Sequence, residues 1–183
     1  MSTQFLTVPG LGSSGPSHWQ TIWEQEHPER FTRVEQNNWY QPIAKEWIQK
    51  LEDSIRQLSE PTIVVAHSLG CLTLVHWAKS FSSDKIVGIV LVAPADAERE
   101  GFPKEIEGFS PIPLDTLPYK SVVIASTNDE YATIERAKFW AEHWGSEFVN
   151  IGALGHINAN SNLADWKAGK EIVNQIFGTN LSV

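Results

Sequence analysis

Residues 62–75 read T-I-V-V-A-H-S-L-G-C-L-T-L-V, and no other stretch restricts the architecture so tightly. An apolar, strand-like run from Thr62 to Ala66 passes through Ala66-His67-Ser68-Leu69-Gly70 into a helix-forming run that begins at Cys71. So short a passage from strand to helix requires a sharp turn at the end of a sheet. A serine on that turn has its hydroxyl exposed at the carboxyl end of the strand and sits at the positive end of a helix. Backbones crowd together at such a turn, so the positions two before and two after the serine must be small. Gly70 satisfies this, and Ala66 is the next smallest choice.

Short β-branched runs alternate with helical patterns along the rest of the chain. Phe5-Leu6-Thr7-Val8 reads as a first strand ended by Pro9-Gly10, and a helix is expected from about Ser17 with Trp19, Ile22 and Trp23 on one face. Arg33-Val34-Glu35-Gln36 reads as a weak strand whose polarity suits an edge. Ile43, Ala44, Trp47, Ile48, Leu51, Ile55 and Leu58 follow a 3.6-residue period behind Pro42, which suits a first-turn position. The runs 86–93 and 121–126 are uniformly apolar, as strands covered on both faces are. Residues 147–151 form a last, less apolar strand, and helices are expected over about 131–145 and 162–177. Alternating strands and helices imply parallel pairing with right-handed crossovers. The expected fold is therefore an α/β, three-layer α/β/α sandwich of about six mostly parallel strands, with residues 1–183 as a single domain. The segment between the fourth and fifth strands, Asp96 to Pro118, is rich in Gly and Pro and reads as a short flap of about 96–118, not a cap domain.

In open sheets of this kind ligands meet the carboxyl ends of the strands, so the residues after each strand matter most. They are Pro9-Gly10-Leu11-Gly12, Ser68, Asp96, Asp129 and His156. A serine hydroxyl needs a positioned base to act as a nucleophile. His156 suits that role, and Asp129 would hold its imidazole in the correct tautomer. The backbone N–H groups of Leu69 and Leu11 are the candidate oxyanion donors. Asp96 is the rival acid, and Asp129 has the alternative of capping the helix after it. Ser68 could likewise be only an N-cap. His67 is expected to pack or hydrogen-bond beside the turn, pointing away from the serine. His18, just beyond the Gly10 loop, is a candidate pocket residue.

Eight tryptophans are many for 183 residues. Trp140 and Trp144, one helical turn apart, read as core, as do Trp47, Trp77 and Trp166. Trp19, Trp23 and Trp39 follow the first two strand ends and are candidates for a pocket wall beside Gly10 and His18.

A net charge of −8 argues against a nucleic-acid footprint and against an anionic membrane surface. The lone Cys71 excludes an internal disulfide framework and fits a reducing compartment. Met1-Ser2-Thr3-Gln4 lacks a signal-peptide pattern, and no apolar run approaches the length of a membrane span. A cytoplasmic location is therefore expected. The histidines form no ligand-spaced metal motif, and there is no phosphate-binding glycine loop, so neither metal nor other cofactor is implied.

On Val8-Pro9-Gly10 with Ser17-His18-Trp19, on Val64 to Cys71, on Ala125-Ser126-Thr127-Asn128-Asp129 and on Gly155-His156, the chain resembles the small serine hydrolases of the YdeN and retinoblastoma-binding-protein-nine type. These belong to the alpha/beta-hydrolase superfamily, whose Ser, Asp, His order this chain follows. The resemblance spans nearly the whole chain. It implies a minimal alpha/beta-hydrolase fold with nucleophile, acid and base on Ser68, Asp129 and His156; the family's substrates are largely undefined, so the resemblance supplies a mechanism and not a metabolite. The expected activity is carboxylesterase-like cleavage of a small ester, thioester or amide through an acyl-enzyme. The expected partner is a small-molecule acyl substrate; the oligomeric state is left open. One relative is named for binding a cell-cycle regulator through L-x-C-x-E. Here Leu69-Gly70-Cys71-Leu72-Thr73 lacks the glutamate, and that partner is not carried over. The alternative reading is a hydrolase fold that serves as a binding or interaction module.

Overall fold

The computed structural model describes residues 3–182; Val183 lies outside it, as do Met1 and Ser2 of the Met1-Ser2-Thr3-Gln4 segment that lacks a signal-peptide pattern. Six strands form one sheet in the order β2-β1-β3-β4-β5-β6, and each neighbouring pair runs parallel. The strands are β1 (Gln4–Val8), β2 (Phe31–Arg33), β3 (Thr62–His67), β4 (Ile86–Val92), β5 (Ser121–Ala125) and β6 (Glu147–Asn150). The helices are α1 (Trp19–Glu26), α2 (Ala44–Arg56), α3 (Leu69–Ser80), α4 (Ile134–Trp144) and α5 (Lys167–Phe177), with a short 3-10 turn at Ala159–Ser161. Among the described residues no helix is long and apolar enough to cross a membrane.

Successive strand residues point to opposite faces, and the two cores follow that alternation. Leu6, Val8, Val64, Ala66, Ile89, Leu91, Val123 and Ala125 face one core with Trp47, Leu51, Leu72, Trp140 and Trp144. Phe5, Ile63, Val65, Val90, Val92, Val122 and Ile124 face the other with Trp19, Trp23, Trp166 and Val173. This explains why β3, β4 and β5 read as unbroken apolar runs: both of their faces are covered.

Three boundaries differ from the sequence reading. β2 occupies Phe31–Arg33, not 33–36, and does lie at the sheet edge. Phe31 stacks on Phe5 with ring centroids 4.6 Å apart, and that cross-strand contact sets the register. Helix α2 begins at Ala44 with Ile43 as N-cap, so Pro42 precedes the helix and does not start it. Helix α5 begins only at Lys167, because Trp166 sits at a left-handed φ of 41°. Its indole fills the space that a Cβ on Gly169 would need and packs on Trp19 at 5.0 Å.

The chain order reverses between β1 and β3, since β1 leads outward to β2 while β3 leads the other way to β4. Loops leaving the sheet on either side of such a point diverge and leave a crevice. The loop after β1 and the turn after β3 face each other there. They are held close: a Cβ on Gly70 would lie 2.1 Å from the Val8 carbonyl oxygen and 2.8 Å from that of Pro9. The small residue after the serine is thus demanded chiefly by the neighbouring strand's backbone. Gly70→Ala is expected to lower stability by about 2 kcal/mol or more, because only backbone can move to relieve the clash. Gly15→Ala, where nothing lies within 4 Å of the added carbon, is the control. Urea unfolding of the two variants checks this, and equal stabilities would contradict it.

Candidate active site

Ser68 has φ 55° and ψ −121°, a backbone conformation that costs a non-glycine residue about 1–3 kcal/mol and persists only where its surroundings enforce it. Here Ser68 N–H donates to Val92 O at 3.0 Å, while Ser68 O accepts from Cys71 N at 3.0 Å. The side chain makes no cap to its own helix. Its hydroxyl instead lies 2.8 Å from His156 Nε2. His156 Nδ1 lies 2.9 and 2.8 Å from the two Asp129 carboxylate oxygens. A carboxylate only accepts, so Nδ1 carries the ring proton and Nε2 is the acceptor of the serine hydroxyl's proton. The His156 and Asp129 side chains are only 7% and 4% exposed, so water competes little for this pair.

Three strand ends supply these groups: β3, the loop after β5 and the loop after β6. The last two loops are tied together by Ser126 and Asn128, which the sequence reading quoted for the resemblance without giving them a role. Asn128 Oδ1 accepts from Gly155 N at 2.7 Å and from Ser126 Oγ at 2.9 Å, and Ser126 Oγ accepts from Leu154 N at 2.9 Å. The residues just before Asp129 therefore anchor the residues just before His156. Asp129 Oδ1 also accepts from Tyr131 N at 2.8 Å, and the Tyr131 ring packs on the His156 ring at 4.4 Å. Thr133, not Asp129, caps α4. Asp96 is engaged elsewhere: Arg136 donates to its two carboxylate oxygens at 2.9 and 3.2 Å. The rival acid is thus committed to an ion pair on α4.

His67 Nε2 lies 3.0 Å from His156 O, a hydrogen-bonding role of the kind expected of it beside the turn. Burial, with His18 and His156 as neighbours, pushes its pKa well below the usual range, so the neutral ring donates its Nε2–H to that carbonyl. His18 is buried against His67 with ring centroids 4.7 Å apart. Its Nδ1 accepts from Gln20 N at 3.2 Å, so the proton sits on Nε2, which has no acceptor among the described residues. Burial first, then Arg33 and His156, push the His18 pKa down to about 3. Cys71 is fully buried, and burial pushes its thiol well above the ordinary range. That leaves it a packing residue and no nucleophile.

A cavity of about 270 Å³ opens at Ser68. Gly10 and His18, read from the sequence as pocket residues, line it, and so do Leu11 and Leu69. Trp19 and Trp39 do not. Trp19 is turned into the core between Trp23 and Trp166, and its Nε1 donates to Ile157 O at 2.8 Å, so it supports the His156 loop from beneath. Trp23 is held in the same cluster. Trp39 packs on Trp47 at 5.5 Å, and only its backbone serves the loop, accepting from Gly12 N at 2.8 Å. The wall expected from those indoles comes instead from Phe102, Pro103, Ile106 and Arg99, all in the 96–118 segment, with Tyr131 beside them. That segment is pinned by Glu107, whose N–H donates to Pro42 O and whose carbonyl accepts from Ala44 N, both at 2.9 Å. Buried Phe109 and Ile112 hold it to the core.

The chain belongs to the serine hydrolase family, whose sequence model matches residues 5–175. Within that family it is a small hydrolase of the YdeN type. A protein described as a YdeN-like hydrolase from Pectobacterium atrosepticum is 30% identical, with 97% of this chain and 91% of that one covered and a TM-score of 0.84. The ydeN gene product from B. subtilis is 18% identical over 97% and 100% of the two chains, with a TM-score of 0.78. Est1E from Butyrivibrio proteoclasticus, solved with ferulic acid bound, is 13% identical over 97% and 90%, with a TM-score of 0.71, and shares the alpha/beta-hydrolase fold. No curated protein sequence matches the chain.

The buried histidines make acid stability predictable. In the unfolded chain His18 takes up a proton near pH 6.5, whereas in the fold it stays neutral down to about 3. Between those values the unfolded state binds more protons, so stability falls as pH falls. His67 acts in the same direction. Each contributes a slope of up to about 1.4 kcal/mol per pH unit. Urea unfolding between pH 7 and 4 measures it; His18→Gln should flatten the slope by about one proton, and an unaltered slope would contradict the assignment.

Proposed function

We propose that the protein is an esterase-type serine hydrolase that cleaves a small ester, thioester or amide through an acyl-enzyme, with Ser68 as nucleophile, His156 as base and Asp129 as the acid. The observation that carries this reading is the unbroken series Ser68 Oγ, His156 and Asp129, with contacts of 2.8 Å on either side of the imidazole. Ser68 Oγ attacks the substrate carbonyl carbon as His156 Nε2 takes its proton. Collapse of the tetrahedral intermediate breaks the bond to the leaving group, which receives that proton from His156. Water then repeats the sequence on the acyl-enzyme, releasing the carboxylic acid and restoring the serine. Asp129 keeps the Nδ1 proton in place and stabilises the transient imidazolium.

The charge on the intermediate's oxygen needs donors fixed in advance. Leu69 N–H, first in α3, is free of the helix's own ladder. Leu11 N–H has no acceptor among the described residues. Gly10 leaves room between them: a Cβ there would lie 2.9 Å from Ser68 Cβ and 3.2 Å from Leu69 N. The cavity's modest volume and its apolar wall of Phe102, Pro103 and Ile106 favour a small acyl substrate over a long lipid chain. The chain's net charge of −8 and the small volume of the site support a free small molecule as partner, in keeping with a cytoplasmic setting.

Ser68→Ala is expected to abolish both fluorophosphonate labelling and 4-nitrophenyl acetate turnover; labelling that survives the substitution would remove Ser68 as nucleophile. Asp129→Asn should lower kcat by roughly 10⁴-fold, whereas Asp96→Asn should retain turnover and lose stability through Arg136. The opposite pattern would exchange the two acids.

A further inference from the structure

We propose that Arg99 recognises a carboxylate on the substrate, so that the hydrolase takes mono-anionic esters, thioesters or amides in preference to neutral ones. The inference deepens the hydrolase reading above and rests on it for the chemistry, but not for the binding.

The charge pattern of the cavity is one-sided. Arg99 lines it, and no Asp, Glu or Lys does among the described residues. The two histidines that wall it beside the base, His18 and His67, are held neutral by burial. Arg99 is therefore the cavity's one formal charge at neutral pH apart from the His156–Asp129 pair.

That guanidinium is also uncommitted. Three acidic residues lie near it in sequence, Asp96, Glu98 and Glu100; Arg136 from α4 claims the first two at 2.9 and 2.6 Å, and Glu100 forms no ion pair with Arg99 among the described residues. Arg99 itself has neither an ion pair nor a side-chain hydrogen bond among the described residues. What holds it is the face of Tyr131, 5.5 Å from the guanidinium carbon to the ring centroid. Tyr131 in turn packs on His156 at 4.4 Å. A stack of guanidinium, phenol and imidazole thus places an unpaired cation one ring away from the base, with its five N–H donors unused.

Arg is suited to this task because its planar donors match a carboxylate in pairs. One positive charge among apolar walls balances one negative charge. A doubly charged phosphate would be left half-compensated in a site that offers no second cation. The chain's net charge of −8 works against anions at long range, but salt screens that field beyond about 8 Å, so the local cation decides what is held. A small cavity with one fixed cation and three apolar wall residues fits a short acyl or leaving group that ends in a carboxylate.

The test compares wild type, Arg99→Gln and Arg99→Lys on three esters: 4-nitrophenyl acetate, the mono-4-nitrophenyl ester of succinic acid, and 4-acetoxybenzoate. The second carries its carboxylate on the acyl side and the third on the leaving group. The expected result is that Arg99→Gln lowers the ratio of anionic to neutral kcat/KM by roughly tenfold to a hundredfold for one of the two anions, with Arg99→Lys restoring part of it. Which anion responds fixes the side. Ratios within twofold of wild type for both anions would overturn the proposal. In a Ser68→Ala background, calorimetric titration with the same intact anionic esters reads binding without turnover. A tenfold weaker Kd on adding Arg99→Gln supports the proposal even if wild type hydrolyses none of the three, an outcome that would sink the hydrolase reading alone. Equal Kd values there would overturn it.

Discussion

The close approach of the first turn of α3 to the end of β1 is the contact on which the remaining geometry depends. Gly70 meets the Val8 and Pro9 carbonyls with no space for a side chain. That contact fixes how far α3 can be drawn toward the sheet, and so forces the chain to reverse within one residue, Ser68, at φ 55°. The strain is local, and the hydrogen bonds from Ser68 N to Val92 O and from Cys71 N to Ser68 O oppose its relaxation. The same approach brings the Gly10–Leu11 loop over the serine. The positions of Ser68 and of the candidate oxyanion donors are therefore consequences of one packing constraint between two adjacent strands.

Asp129 and His156 reach this serine by a different device. Parallel strands deliver Asp129 and His156 to the same end of the sheet, but their loops leave separate strands and need a common brace. Asn128 and Ser126 supply it through the Gly155 and Leu154 N–H groups. From the opposite side Trp19 Nε1 and His67 Nε2 hold the Ile157 and His156 carbonyls. His156 is thus fixed at its backbone on two sides before its ring makes any contact. The buried neutral histidines are the cost of this arrangement, since each opposes folding in acid.

Much of this could be read from the chain, and the exceptions have physical causes. The apolar runs of β3, β4 and β5 announced strands covered on both faces, and the order of strand-end residues brought Ser68, Asp129 and His156 into one place. The Trp19 and Trp39 placements failed because position after a strand end gives nearness to the site but not the direction of the indole. Trp19 was drawn inward by Trp23 and Trp166, and Trp39 by Trp47. Likewise β2 is short, and its register comes from the Phe5–Phe31 stack, a contact between residues far apart in sequence. The late start of α5 follows from the Trp166 indole lying over Gly169.

The sequence by itself determined the parallel sandwich, the turn at Ser68 and the order of the candidate catalytic groups. Those depend on local periodicity, on small residues at a sharp turn and on the rule that parallel strands end on one side. Only the tertiary structure shows which carboxylate lies beside His156: Arg136, forty residues downstream of Asp96, claims Asp96, and Asp129 meets the imidazole. It also decided what lines the cavity and that Arg99, stacked on Tyr131, is left without an ion pair among the described residues. Charge pairing and side-chain direction are settled by neighbours that the fold, and not the chain order, brings together.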